Sequence, residues 1–470
     1  MRTIPGFVRL LCLTALLASA SASVFAQDAL PADLSTKIDQ VANEALTKSG
    51  VPSASVAVVR DGKIVYAKAY GNARLDPKTA ATSAMRYSIG SISKEFTAAA
   101  ILLLQQEGKL SLDDKVARFF PDLTDAGHIT IRQILSHTAG YQDYWPQDYL
   151  MPAMRQPTTT AQIMDGWAKK PLDFAPGTQW QYSNTGYVIA GAIVQKVSGQ
   201  DPFAFLQQHV FPTIGVTDAY DTDQHALPAG DARGYSRSAL GPLRPSPKEG
   251  VNWMFAAGEL AMTASDLARW DIAMIDQKVL SPASWQAMQT DVLLNSGLSS
   301  GYGLGVFVGR MDSHRMISHD GEVMGFTAGN YIFPDDRTAV VVLTNQDAVG
   351  VFGTIANGIA KAMFEVHDAD ATKALAKAEA IFDGLQHGKI DRSLFSPNGN
   401  SYFDKTALGD YASSLAPLGK PTAFTLRATR LRGGMQMRAY TVAFPKTKLS
   451  ISTYTLPDGK LEQYIVAPTE

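Results

Sequence analysis

Tyr87-Ser88-Ile89-Gly90-Ser91-Ile92-Ser93-Lys94-Glu95-Phe96 places Ser91 just under one helical turn ahead of Lys94. From Ser91 onward, Ile92, Phe96, Ala99, Leu103 and Leu104 recur at helical spacing, and Ala98-Ala99-Ala100-Ile101-Leu102 leaves hardly any polar face. Gln105-Gln106-Glu107 then runs into Gly108, a residue suited to stopping a helix. The pattern predicts a buried helix of about four turns with Ser91 at or near its first residue. A serine there sits beside free backbone N–H groups and the positive end of the helix dipole. Lys94 falls on the same face, and burial together with that dipole disfavours its ammonium, which makes it a candidate base toward Ser91. Alone, S-x-x-K turns up about once or twice by chance in a chain of this length, and a capping serine with a solvated lysine satisfies it equally. The rest of the chain decides between the two.

Upstream, Arg2 and Arg9 flank an apolar run, Leu10 to Leu17, that gives way to small residues and a Val-Phe-Ala exit at Ala26. A basic start, an apolar centre and a small-residue exit read as a secretory signal peptide over residues 1–26. The run is too short and too rich in Ala and Ser for a good membrane span. Cys12, the one cysteine, lies inside it behind Leu11, where a lipoprotein signal wants a small residue. Cleavage after Ala26 therefore leaves a chain with no disulfide, no thiol nucleophile and no thiolate metal site, exported to the periplasm or medium and not inserted in a membrane. The 42 Lys and Arg against 44 Asp and Glu give a net charge of −2, which becomes −4 without Arg2 and Arg9. That balance gives no case for nucleic acid or an anionic membrane surface.

Leu34, Ile38, Val41, Ala42, Ala45 and Leu46 mark an amphipathic helix ended by Gly50. Ser53–Val59 and Ile64–Tyr70 read as strands around an Asp61-Gly62 hairpin turn. From Leu110 to Gly250 the pattern is helical patches with Pro- and Gly-rich turns, closing in a long surface loop from Leu227. Strand signals return at Tyr302–Val308, Arg315–Ser318, Phe326–Phe333 and Thr338–Thr344, before a helix over Val351–Phe364. The fold class expected is α+β: one antiparallel sheet built from both ends of residues 27–368, flanked by helices and carrying an inserted helical region. Residues 369–470 read as a separate small α+β domain: a helix, turns over Ile390–Leu415, then strands around Thr422–Thr429, Met435–Phe444, Leu449–Thr455 and Leu461–Val466.

Two further stretches complete a constellation. Phe174 to Tyr187 contains Tyr182-Ser183-Asn184, and His319-Asp320-Gly321-Glu322 lies between two strand signals. S-I-S-K, then Y-S-N, then H-D-G in that order resembles the penicillin-recognising serine hydrolase superfamily, in its class C β-lactamase-like branch. Ile129 to Gly140 and Ala256 to Trp270 resemble that branch as well, so the likeness covers roughly residues 30 to 365. The tail resembles cystatin-like or NTF2-like domains appended to such hydrolases. The resemblance implies a two-step acyl transfer with no metal or organic cofactor. Ser91 is the nucleophile, Lys94 and Tyr182 form a proton network, and Asn184 binds Lys94 and the acyl group. His319 and Gly321 support the substrate, and the backbone N–H groups of Ser91 and Glu322 form the oxyanion hole. Which of Lys94 and Tyr182 is the resting base stays open, since a phenol near its usual ~10 serves as a base only beside a positive charge. His137 and Arg132 read as scaffold.

Three decoys fall away. Tyr70-Gly71-Asn72 and Lys48-Ser49-Gly50 mimic family elements but precede Ser91, where the family order puts both after it. Gly297-Leu298-Ser299-Ser300-Gly301 matches a nucleophile elbow, yet that motif needs a strand before it and a helix after it, and here a Gly-rich strand follows. The departure from the family lies in its K-T-G element: His319 stands at the Lys position and Asp320 at the Thr position, with Glu322 a further acid nearby. Acids in place of a cation disfavour a substrate carboxylate. The expected function is a secreted serine hydrolase acting on an ester or amide of a small molecule or short peptide without a required carboxylate. The alternatives are a true β-lactamase or D-Ala-type peptidase and, in another class, a catalytically silent penicillin-binding-like interaction module.

Overall fold

The structure, a computed structural model, describes residues 30–364 and 370–469, and residues 1–26, expected to be a signal peptide, lie outside them. The chain forms two compact units, one ending at Met363 and one beginning at Phe364.

The first unit holds a seven-stranded antiparallel sheet. Its order across is Lys78–Ala80, Lys63–Leu75, Ser53–Arg60, Thr338–Thr344, Phe326–Phe333, His314–Val323 and Phe307–Met311. The earliest strand pairs directly with the last, Val56 opposite Val342, so the sheet is built from both ends of the unit as the pattern predicts. Ser53–Arg60 is buried on both faces up to Val59, which is why it reads as a continuous apolar run and not an alternating one. Asp61 and Gly62, at φ 53° and 73°, form the tight turn to the next strand. Helix Ala264–Ile275 packs on the two central strands.

The Ser91 helix is the apolar element it promised to be. Ser93–Gln106 buries eleven side chains, and Phe96 packs on Trp270 with ring centroids 4.5 Å apart. A helix buried nearly all round carries any polar residue on it into a low-dielectric interior. Ser91 itself lies in a separate 3-10 turn, Gly90–Ile92, ahead of the helix, and no side-chain cap bond is made at that end.

Three local expectations need correcting. Tyr302 is not in a strand but bridges only to Phe307, because the Gly-Leu-Gly stretch at 303–305 turns the chain; the strand begins at Phe307. The segment after Leu227 is not purely a surface loop. It contains a short ladder of Tyr235–Ser236 with Arg244–Pro245, and buried Tyr235 accepts a hydrogen bond from the Leu75 N–H at 2.7 Å. In the second unit, the turns expected over Ile390–Leu415 include two helices, Pro397–Tyr402 and Lys405–Leu415. Lys405–Leu415 buries only Leu415 and relies on the Asp404 cap, so it has almost no apolar stripe to read. That unit is otherwise helix Ala371–Gln386 with a four-stranded antiparallel meander, Ala423–Arg432 through Leu461–Pro468, around Phe382, Leu385, Tyr440 and Tyr464.

Candidate active site

Ser91, Lys94, Tyr182, Asn184, His319, Gly321 and Glu322 come together, and all but the buried Lys94 line one cleft of about 660 Å³. Lys94 is fully buried. Its Nζ lies 2.9 Å from Ser91 Oγ, 2.8 Å from Asn184 Oδ1 and 2.7 Å from the Ala257 carbonyl. Burial lowers Lys94 to about 7, against a smaller upward pull from Asp143. As an ammonium Lys94 donates to all three; as an amine its partners decide where the lone pair points. Asn184 Oδ1 and the Ala257 carbonyl accept only, so they take the two amine N–H groups, and the third position faces the Ser91 hydroxyl, which can donate.

Tyr182 also hydrogen-bonds Ser91, and its ring centroid is 5.0 Å from Lys94 Nζ. Its phenol is nevertheless pushed well above the usual range, chiefly by burial and further by Asp143 and Asp320. The nearby lysine does not make it a phenolate. Burial favours the neutral form of both groups, but only for Lys94 is that neutral form the deprotonated one, so of the two it is Lys94 whose basic form is accessible near neutral pH.

Asn184 is the first residue of helix Asn184–Ser198. The N-terminal N–H of that helix is met from another segment: Asp143 Oδ1 accepts from Asn184 N at 3.0 Å, and Oδ2 from Asn184 Nδ2 at 3.3 Å. Holding the amide nitrogen on Asp143 leaves the amide oxygen for Lys94. Asp143 and the Ala257 carbonyl are the site groups that sequence reading missed. Asp143 belongs to no recognisable motif, and a backbone carbonyl has no side-chain signature.

His319 is 1% exposed, with Nδ1 2.6 Å from the Asp320 carbonyl and Nε2 2.8 Å from Tyr302 Oη. Burial, with help from Lys94, lowers it to about 3, so it is a neutral imidazole. Nδ1–H donates to the carbonyl and Nε2 accepts from Tyr302. Both ring nitrogens are engaged within the protein, so His319 supports the cleft wall and offers it no N–H. Asp320 keeps solvent access at the mouth while surrounding protein raises its carboxyl to about 6.

Close backbone approach explains Gly90 and Gly321. A Cβ on Gly90, at φ 51°, would lie 2.8 Å from the Glu322 nitrogen, and one on Gly321 would lie 1.9 Å from the Ile89 carbonyl oxygen. Strand His314–Val323 therefore runs against the Ser91 turn, with the Glu322 nitrogen close to Gly90, the residue before Ser91. The decoy Ser299 is exposed in a bridge to Leu293, outside the cleft-lining residues. Among the described residues no group of three or more His, Cys, Asp or Glu side chains is placed to hold a metal.

A serine in the turn ahead of a buried helix, with a desolvated lysine at hydrogen-bond distance beside an antiparallel sheet, is an arrangement of the serine hydrolase class. A profile of the Beta-lactamase family matches residues 38–361, and the chain belongs to that family. It is 28% identical over 307 residues to penicillin-binding protein 4* of Bacillus subtilis (strain 168), covering 62% of this chain and 68% of that protein. The fold is shared with the D-amino acid amidase of Ochrobactrum anthropi SV3 in complex with L-phenylalanine amide. There the TM-score is 0.64 at 24% identity over 70% of this chain and 98% of that one. An octameric penicillin-binding protein homologue from Pyrococcus abyssi matches over 93% of this chain and 96% of its own, with a TM-score of 0.63 at 21% identity.

Proposed function

We propose that this protein hydrolyses an ester or amide through an acyl-enzyme on Ser91, with Lys94 as the resting base. The observation that carries the reading is the Lys94 amine aimed at Ser91 Oγ with its other two positions taken by acceptors. Ser91 Oγ attacks the carbonyl carbon as its proton passes to Lys94, and the new ammonium is met by Asn184 Oδ1 and the Ala257 carbonyl. Tyr182 stays a phenol and passes a proton between Lys94 and the leaving group. The N–H groups of Ser91 and Glu322 receive the developing oxyanion, a contribution typically worth about 3–4 kcal/mol per donor. Water then cleaves the ester by the reverse sequence. The interaction-module alternative is disfavoured, since it gives no reason to hold a buried lysine on a serine.

The cleft is lined by Asp143, Asp148, Asp320, Glu322 and Asp347, with no Lys or Arg among its described lining residues. An ammonium about 4 Å from one such carboxylate gains on the order of 4 kcal/mol at an effective dielectric of about 20, and a substrate carboxylate loses as much. This favours neutral or amine-bearing acyl groups, such as amino-acid amides and esters, over β-lactams. Residues 1–26 direct export in this reading. The test is a fluorophosphonate probe combined with a panel of an amino-acid anilide, a short aryl ester and a chromogenic cephalosporin. Labelling is expected to vanish in Ser91→Ala and persist in Ser299→Ala, with the anilide or ester hydrolysed best. Efficient cephalosporin turnover would restore the β-lactamase reading.

A further inference from the structure

We infer that His137 is the residue that positions Tyr182 for proton transfer, an inference that rests on the functional reading above. His137 holds the chain on both sides of Tyr182. Its carbonyl accepts from Gln181 N at 3.0 Å, and its Nδ1 accepts from Ser183 N at 3.2 Å. Between those two bonds its ring lies against the Tyr182 ring, with centroids 4.2 Å apart. The backbone of His137 is left-handed, at φ 59°, uncommon for a residue with a side chain; that conformation turns carbonyl and ring toward the same 181–183 segment. Tyr302 and Tyr187 close the other sides of the ring, with centroids 4.8 and 5.2 Å away. The side chain is thus locked by packing, and Tyr182 inherits its position.

The clamp works only with a neutral imidazole. Because Nδ1 accepts from Ser183, the ring proton is on Nε2, and a second proton would remove the acceptor. The groups facing the ring keep it that way. Burial first and the nearby Lys94 second lower its affinity for a proton, outweighing the upward pull of the Ser183 contact, while His319 is neutral and Tyr182, Tyr187 and Tyr302 are uncharged phenols. Nε2 is buried with no hydrogen-bond partner among the described residues. Every polar contact of the side chain therefore runs through Nδ1 to the segment that carries Tyr182.

The test uses the full-length enzyme and its best panel substrate. His137→Gly keeps the left-handed backbone but removes ring and acceptor, and it should lower kcat by about 30-fold or more with KM within about threefold. His137→Asn tolerates the same backbone and restores an acceptor near Nδ1, so it should recover kcat to within about fivefold of wild type. In a Tyr182→Phe background, where the positioned hydroxyl is gone, His137→Gly should cost less than about threefold. Nitrogen NMR of 15N-histidine-labelled wild type, assigned with His137→Asn, should show His137 protonated on Nε2 alone throughout the active pH range. That readout holds even if the glycine variant does not fold. A His137→Gly loss that is undiminished in the Tyr182→Phe background, or an Nδ1–H signal, overturns the positioning role alone. A Tyr182→Phe enzyme with wild-type turnover overturns the functional reading as well.

Discussion

Replacing Lys94 with Met should abolish turnover and, at low pH, make the protein more stable. Lowering a lysine from its ordinary 10.5 to about 7 by burial corresponds to about 5 kcal/mol of folding free energy spent on the protonated form. Met fills a similar volume without that cost, but leaves Asn184 Oδ1 and the Ala257 carbonyl without their donor, a loss of about 3 kcal/mol together. The variant should therefore exceed wild type by about 2 kcal/mol at pH 6. The sign then changes with pH. Between about 7 and 10.5 the folded protein carries the amine while the unfolded chain still carries the ammonium. The unfolded state binds more protons there, so wild-type stability rises by up to about 1.4 kcal/mol per pH unit relative to the variant. The two stabilities should cross near pH 8.5. Urea denaturation of both proteins at pH 6, 7.5 and 9 measures the difference directly. A difference that stays constant from pH 6 to 9 would refute a lysine that is uncharged in the native state near neutrality.

For a neutral ester, which Asp320 does not discriminate electrostatically, kcat/KM should climb up to about tenfold per pH unit below about 7 and level off above it, as Lys94 reaches its amine form. A pH–rate profile flat from 5.5 to 8 would mean that Lys94 is not the base. Gly321→Ala puts a methyl 1.9 Å from the Ile89 carbonyl oxygen and must part the strand from the Ser91 turn. Turnover should fall on the order of a hundredfold with the near-UV circular dichroism spectrum retained; wild-type kcat in this variant would remove the Glu322 N–H from the mechanism.

The sheet was readable because its strands are apolar runs bounded by turn signals; Phe326–Phe333 and Thr338–Thr344 fall on the expected residues. The Ser91 helix was readable because a segment buried on every side leaves no polar face. What the sequence hides is set by groups far apart along the chain. Asp143 acts by satisfying the start of a helix 41 residues away, and Ala257 by a carbonyl that any residue could supply. Composition cannot rank Lys94 against Tyr182 as base, because burial moves both toward their neutral forms, and only the neutral form of lysine is a base. Lys405–Leu415 was missed for the opposite reason, a helix held by its cap and barely by its core.

His319 also explains why the family's K-T-G charge pattern does not simply transfer to this strand. A lysine at that position would bring a second ammonium into a pocket 1% exposed, close enough to Lys94 for each charge to oppose the other, and would forfeit the acceptor that Tyr302 uses. A neutral imidazole avoids both costs by bridging Tyr302 and the Asp320 carbonyl. With residue 319 uncharged, the formal charge this strand offers the cleft comes from Asp320 and Glu322, which alternate with buried His319, Gly321 and Val323. Both are carboxylates, and Glu322 is held in place by the Ala348 N–H at 2.8 Å. The burial that lowers the Lys94 ammonium is the same burial that disfavours a cation at position 319. In the mechanism proposed above, activating Ser91 and repelling a substrate carboxylate follow from one cause.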